Sequence, residues 1–368
     1  MDSRERVIRA LNREHPDRVP MTDSFWEDTL TRWYDEGLPR EAVSNDVFAE
    51  AVGGIPEYFG FDFDFISLDA SPRLEQKLLS DDGEYVVYQD RFGYTVKKSK
   101  GKSRTMDFMD HVTKDKAAWE RIKERFVLDL DGTSRVDQAS YFMHMDPYPT
   151  WPEAKGIFDG IRQKGRYVLA NAYGPWESTW RHRGFTELLM DLVTDPEFVI
   201  DMAGTYMDLL LDVLQRCLDE GIRPDGVFMV EDLAYTKGML MSPRSWRQIF
   251  KPFVGRLGQF LSANDIDFWM HCCGNAEAVF EDLIDCGLQV MQPLEAKSGL
   301  DVRELRKTYG DRLTFFGNID VINMANGTDE EIEYEIRTKI APFASGGGGY
   351  IYHSDHSVPP EVSYERYR

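Results

Sequence analysis

From about residue 115 onward the chain alternates helical and strand patterns, and this alternation limits its possible folds more than any other feature. Strand-like runs stand at Tyr167-Val168-Leu169-Ala170-Asn171-Ala172, Gly226-Val227-Phe228-Met229-Val230, Ile266-Asp267-Phe268-Trp269-Met270, Val290-Met291-Gln292, Leu313-Thr314-Phe315-Phe316 and Tyr350-Ile351-Tyr352. Most are short and apolar, as strands covered on both faces are. Helical periodicity fills the intervals, over 115–125, 151–164, 184–192, 196–220, 243–263, 275–286, 301–308 and 328–344. Strand and helix in strict succession predict a parallel sheet wrapped by helices. Neither a Gly-x-Gly-x-x-Gly run nor a Walker A motif occurs, so an open nucleotide-binding sheet lacks its fingerprint. The expected fold class is therefore α/β, a single (β/α)8 TIM barrel of roughly 250 residues plus insertions.

On this reading residues 1–368 form one barrel domain, with the main β/α repeats in 116–368. Residues 1–115 supply N-terminal helices and a β-hairpin decoration. Val7, Ile8 and Leu11 form a helical stripe that is broken at His15-Pro16, and 24–60 reads as mostly helical. Phe61-Asp62-Phe63-Asp64-Phe65-Ile66 alternates like a strand, and 84–98 forms the hairpin, turning near Arg91–Gly93.

Charge narrows the function. Lys and Arg number 43 against 64 Asp and Glu, a formal net charge of −21. Such a surface repels phosphate backbones, which excludes nucleic acid as a partner. No apolar stretch of about 18 residues exists to span a membrane, and the N-terminus has no apolar leader, so a cytoplasmic protein is expected. Its four cysteines, Cys217, Cys272, Cys273 and Cys286, are then read as thiols rather than disulfides.

A TIM barrel places its chemistry at the C-terminal ends of its strands. The polar residues at those positions are Asn171, Tyr173 and Trp176; Glu231 and Asp232; His271, Cys272 and Cys273; Gln292 and Glu295; Asn318 and Asp320; and His353, Asp355 and His356. Imidazole, thiol and carboxylate at one face suit zinc best among metals. In extended chain, residues two apart point the same way, so His271 and Cys273 can grip one ion while Cys272 faces the wall. The alternative is that both thiols are small buried hydrophobes and His271 is a hydrogen-bonded core residue. A third ligand has to come from a later strand, where His353 and His356 both stand. Three protein ligands leave a fourth position open, the pattern of a catalytic zinc. Tyr173, Trp176, Trp180, Tyr235, Met239 and Met241 follow strand ends and can wall an aromatic pocket.

Several segments together resemble the uroporphyrinogen decarboxylase superfamily. They are Arg6-Val7-Ile8-Arg9-Ala10-Leu11 with Pro16-Asp17-Arg18-Val19-Pro20, then His271-Cys272-Cys273-Gly274, Phe316-Gly317-Asn318-Ile319-Asp320 and Gly348-Gly349-Tyr350-Ile351. The resemblance implies a single (β/α)8 barrel and one of two activities. Metal-free decarboxylases of this superfamily carry arginines after the first Pro segment to hold substrate carboxylates; here 21–28 has none. Corrinoid-linked methyltransferases carry a His-x-Cys zinc motif, which His271 and Cys273 match. Their third ligand is often a cysteine after the last strand, where this chain has His356.

The methyltransferase branch is therefore the better match. It implies zinc at His271, Cys273 and His356, and methyl transfer between a small donor or acceptor and the cobalamin cobalt of a corrinoid-binding protein. One thiolate and two imidazoles leave zinc with more positive charge than two thiolates do. That favours an oxygen leaving group, as in O-demethylation of a methoxylated aromatic. In this scheme Glu231, Asp232 or Glu295 protonates the leaving group or completes the coordination. Asn171, Tyr173, Trp176, Tyr235 and His353 would contact the substrate. The rivals are a metal-free decarboxylase and a barrel that binds a small ligand without catalysis.

Overall fold

The computed structural model describes residues 1–40, 54–100, 106–137, 148–345 and 347–368. Seven strands, β1 Phe63–Leu68, β2 Tyr167–Tyr173, β3 Gly226–Val230, β4 Asp267–His271, β5 Val290–Gln292, β6 Thr314–Phe316 and β7 Tyr350–Ile351, lie side by side in chain order. Every adjacent pair is parallel, with registers such as Phe63↔Tyr167, Leu169↔Gly226 and Trp269↔Val290. The ring closes through residues 20–22. Tyr352 N–H donates to Pro20 O (2.8 Å), Thr22 N–H to Tyr352 O (3.2 Å) and Asp62 N–H to Met21 O (2.9 Å). The fold is the expected (β/α)8 barrel, and two of its staves, 20–22 and β1, come from ahead of residue 115.

The strands are explained by what their alternate residues bury. Phe63, Tyr167, Leu169, Trp269, Val290, Phe316 and Ile351 fill the barrel interior. The Trp269 ring meets Phe63 at 5.7 Å, Tyr167 at 5.4 Å and Phe316 at 5.8 Å between centroids. Gly226 makes that packing possible, because a Cβ there would lie 2.6 Å from Trp269 Nε1. Val7 and Leu11 of helix α1 (Ser3–Leu11) plug the N-terminal end.

The expected hairpin is the middle of a larger unit. Strands Lys77–Asp81, Tyr85–Gln89, Tyr94–Ser99 and Met106–His111 make a four-stranded antiparallel sheet. The outer strands escaped notice because they are largely exposed and lack an apolar rhythm. This sheet leans on a helix, α2 (Pro175–Arg183), through the edge contact of Phe108 with Trp180 (4.9 Å). No helix among the described residues is long and apolar enough to cross a membrane.

Candidate metal centre

The mouth of the barrel collects donors from four strand ends. β4 stays in register past its last assigned residue: Glu231 N–H donates to His271 O (2.9 Å) and Cys272 N–H to Gln292 O (2.8 Å). The extended chain therefore turns His271 and Cys273 to one side and Cys272 to the other. Cys272 is fully buried and its Sγ accepts from Leu233 N–H (3.3 Å). Gly274 then ends the run at φ +78°, where any Cβ would strike the Ala234 and Tyr235 backbone at 2.6–2.7 Å.

His271 Nε2 lies 3.4 Å from Cys273 Sγ and 3.4 Å from Asp232 Oδ1. The other imidazole nitrogen, Nδ1, is held by Gln292 Oε1, which fixes the tautomer and leaves the Nε2 lone pair facing the thiol. Asp232 Oδ1 also accepts from Cys273 N–H (2.8 Å). A ligand atom of Cys273 lies within 4.8 Å of ligand atoms on Glu295 and His356, and those two lie equally close to each other. Glu295, from the segment after β5, accepts from Gly274 N–H (3.1 Å) and Ser298 Oγ (2.8 Å) and lies 3.2 Å from Lys297 Nζ. His356 stacks near Trp26, its Nδ1 3.5 Å from Ser357 O.

Electrostatics favour a cation here. Burial, then the carboxylates of Asp232 and Glu295, push the Cys273 thiol well above its ordinary range. Burial alone would raise the Glu295 carboxyl, but the Ser298 hydrogen bond and Lys297 bring it below its usual value. Burial, aided by Lys297, lowers the His356 imidazole. A dication would take up the thiolate and imidazole nitrogens as ligands. Cys273 thus belongs to two groups, one with Asp232 and His271 and one with Glu295 and His356, and the two imidazoles do not fall in one group; imidazole, thiol and carboxylate donors, with the His271 ring oriented by Gln292, are of the types that fit zinc.

The remaining sequence candidates are distributed unevenly. Glu231 is fully buried and turned away from the thiol, accepting from Trp176 N–H and Glu177 N–H (2.9 Å each) at the start of α2. Gly174 is needed there, since a Cβ would lie 2.3 Å from the Glu231 carboxylate. Burial pushes this carboxyl well up. Trp176 packs outside the barrel against Phe185 and Phe250. Tyr235 is exposed beside a two-strand ladder, its backbone near Gly274. His353 is buried over Phe316, its Nδ1 on Ser354 O and 3.6 Å from Asp23. Asn171 and Tyr173 end β2, and the buried Asn171 Oδ1 finds no hydrogen-bond partner among the described residues. Asn318 is bound to Leu294 O and Leu300 O, and Asp320 caps a helix. Asp355 ties two loops together by accepting from Ala296 N–H and Val321 N–H.

Two residues near the mouth were missed as partners of the site. Asp23 ends the segment 20–22 as Glu231 ends β3, and it anchors Ser354 Oγ at 2.8 Å. The acid directly after a short extended run is the signal that marks it. Glu177 is buried in α2, bonded to Trp180 Nε1 (2.9 Å) and Arg181 Nη2 (2.6 Å); its helix has no amphipathic pattern to announce it.

Residues 158–368 match the sequence profile of the family described as Uroporphyrinogen decarboxylase (URO-D). Over 80 residues the chain is 36% identical to the methylcobamide:CoM methyltransferase MtaA of Methanosarcina barkeri, a stretch of 22% of this chain and 22% of that protein. A solved methyltransferase from Methanosarcina mazei has the same fold, with a TM-score of 0.60 at 16% identity, over 100% of this chain and 96% of that one.

Proposed function

The chain belongs to the uroporphyrinogen decarboxylase family, and from that premise we propose that it is a zinc-dependent methyltransferase moving a methyl group between a small molecule and a corrinoid carried on a separate protein. The observation that carries this reading is the approach of His271 Nε2 to Cys273 Sγ at 3.4 Å, with Glu295 and His356 grouped around the same thiol. His271, Cys273 and His356 would hold the ion, and zinc bound there supplies Lewis acidity toward a departing oxygen.

The chain's own residues do the rest. Gln292 orients His271. Asp232 sits 3.4 Å from His271 Nε2 and can deliver or take a proton at the leaving atom, as can Glu295. Glu231 is engaged at the start of α2 and positions that helix rather than the substrate. Asn171 and Tyr173 stand at the end of β2, and alignment of the methyl group for in-line attack falls to this wall of the mouth. A substrate oxygen as leaving group, as in a methoxylated aromatic, suits a centre with one thiolate and two imidazoles.

The test is product analysis by mass spectrometry with methoxyarenes, thiols and methylamines, in the presence of a corrinoid protein. Demethylation of the methoxyarene is the expected result. Exclusive use of a thiol overturns the ether assignment. Release of carbon dioxide from uroporphyrinogen by zinc-free protein overturns the methyltransferase reading itself.

A further inference from the structure

The mouth carries a second cluster, cationic and separate from the thiol. Asp69, the residue after β1, is buried and meets three arginines: Arg73 Nε at 2.8 Å, Arg91 Nε at 3.3 Å and Arg135 Nη1 at 3.9 Å. Asp131 contributes one more carboxylate, 3.0 Å from Arg73. Arg135 spends its guanidinium on the backbone oxygens of Asp69, Ser71, Val127 and Leu128.

Arg91 differs from the other two. It is only 5% exposed, its Nη1 has no hydrogen-bond partner among the described residues, and its Nε meets only the Asp69 charge. Its neighbour Asp90 is buried as well, and burial pushes that carboxyl upward while Arg91 draws it down. Asp90 Oδ2 and the buried Tyr88 hydroxyl also lack hydrogen-bond partners among the described residues. A buried guanidinium with an unmet N–H costs stability unless something anionic reaches it. The expense is notable in a chain whose net charge is −21.

Position gives the cluster a purpose. Arg91 lies in the turn between strands Tyr85–Gln89 and Tyr94–Ser99, so the inserted sheet carries it to the top of β1 and β2. Tyr173 at the end of β2 lies over Arg181, whose Cζ is 4.0 Å from the ring centroid. β2 and β4 are two strand spacings apart, about 10 Å around the barrel wall. We propose that Arg91 is a specificity-determining residue that binds one anionic group, a carboxylate, sulfonate or phosphate, on the small methyl donor or acceptor. This rests on the methyltransferase reading above and adds the charge of its substrate.

Calorimetric titration of the purified protein with matched probes tests it. One pair is 4-methoxybenzoate and 4-methoxybenzamide; the other is 3-mercaptopropionate and 3-mercaptopropan-1-ol. In at least one pair the anion is expected to bind roughly tenfold to a hundredfold more tightly. Arg91→Gln should abolish that preference while leaving the neutral probe's affinity unchanged, and Arg91→Lys should retain part of it. Equal binding within both pairs, no binding of any probe at millimolar concentration, or an undiminished preference in a folded Arg91→Gln protein overturns the proposal. The wild-type comparison stands even where the variants fold poorly. Zinc content and methyl transfer, measured on the same preparation, report the failure of the methyltransferase reading separately.

Discussion

At the N-terminal face of the barrel, buried strand carboxylates meet arginines. Asp62 accepts from Arg6 Nη1 (2.6 Å) and Arg18 Nη1 (2.7 Å), Asp225 from Arg4 Nε (2.7 Å) and Arg162 Nη1 (2.6 Å), and Asp64 pairs with Arg166 at 3.1 Å. At the mouth, Glu231 and Asp355 meet backbone N–H groups, Asp232 a histidine and a backbone N–H, and Glu295 a lysine. No arginine pairs with these four among the described contacts. The same residue type thus serves two ends: arginine pairs hold the base together, whereas the carboxylates nearest the Cys273 thiol meet His271, Lys297 and backbone N–H groups instead of arginine.

The largest expected effect falls at the base. Asp62→Ala removes the buried carboxylate shared by Arg6 and Arg18 and the acceptor of Met21 N–H, leaving Arg6 its pair with Asp17, and should cost about 3 kcal/mol of unfolding free energy in urea. A value under about 1 kcal/mol would break the contrast, since it would mean the paired face is no more structural than the mouth. At the mouth the loss should appear in metal affinity instead. Gln292→Ala releases the His271 ring, and a competition titration should show zinc binding weakened about 10–100-fold with little change in the urea midpoint.

A histidine away from both faces sharpens the comparison. His182 is buried against Trp119, its Nδ1 2.9 Å from Thr113 Oγ1, and burial pushes its imidazole down to about 3. Its contribution to stability is complete above about pH 6.5 and is lost as pH falls toward 3, at about 1.4 kcal/mol per unit. Urea midpoints at pH 7 and pH 5 should converge in His182→Gln, whereas an unchanged gap would place the acid sensitivity elsewhere.

Much of this was readable in the residues. Each of β2 through β7 announces itself by a short apolar run, and the two-residue period of extended chain correctly separates Cys273 from the wall-facing Cys272. What escaped reading did so for physical reasons. Residues 20–22 are too short for any periodicity, and they pair through single bridges. Helix α2 is covered on nearly all sides, burying Glu177, Ser178, Thr179, Arg181 and His182, so it shows no polar face. The role of Glu231 depends on a helix 54 positions earlier in the chain, a contact that no local pattern encodes. The single hairpin expected at 84–98 became four strands because its outer pair is exposed on both faces.

The donors grouped around Cys273 are expected to bind zinc. Metal analysis of the purified protein beside His271→Ala/Cys273→Ser tests this directly. About one zinc per chain is expected, lost in the double variant together with methyl transfer while the fold is kept. A fully active protein without zinc, or a double variant that retains the metal, would contradict it.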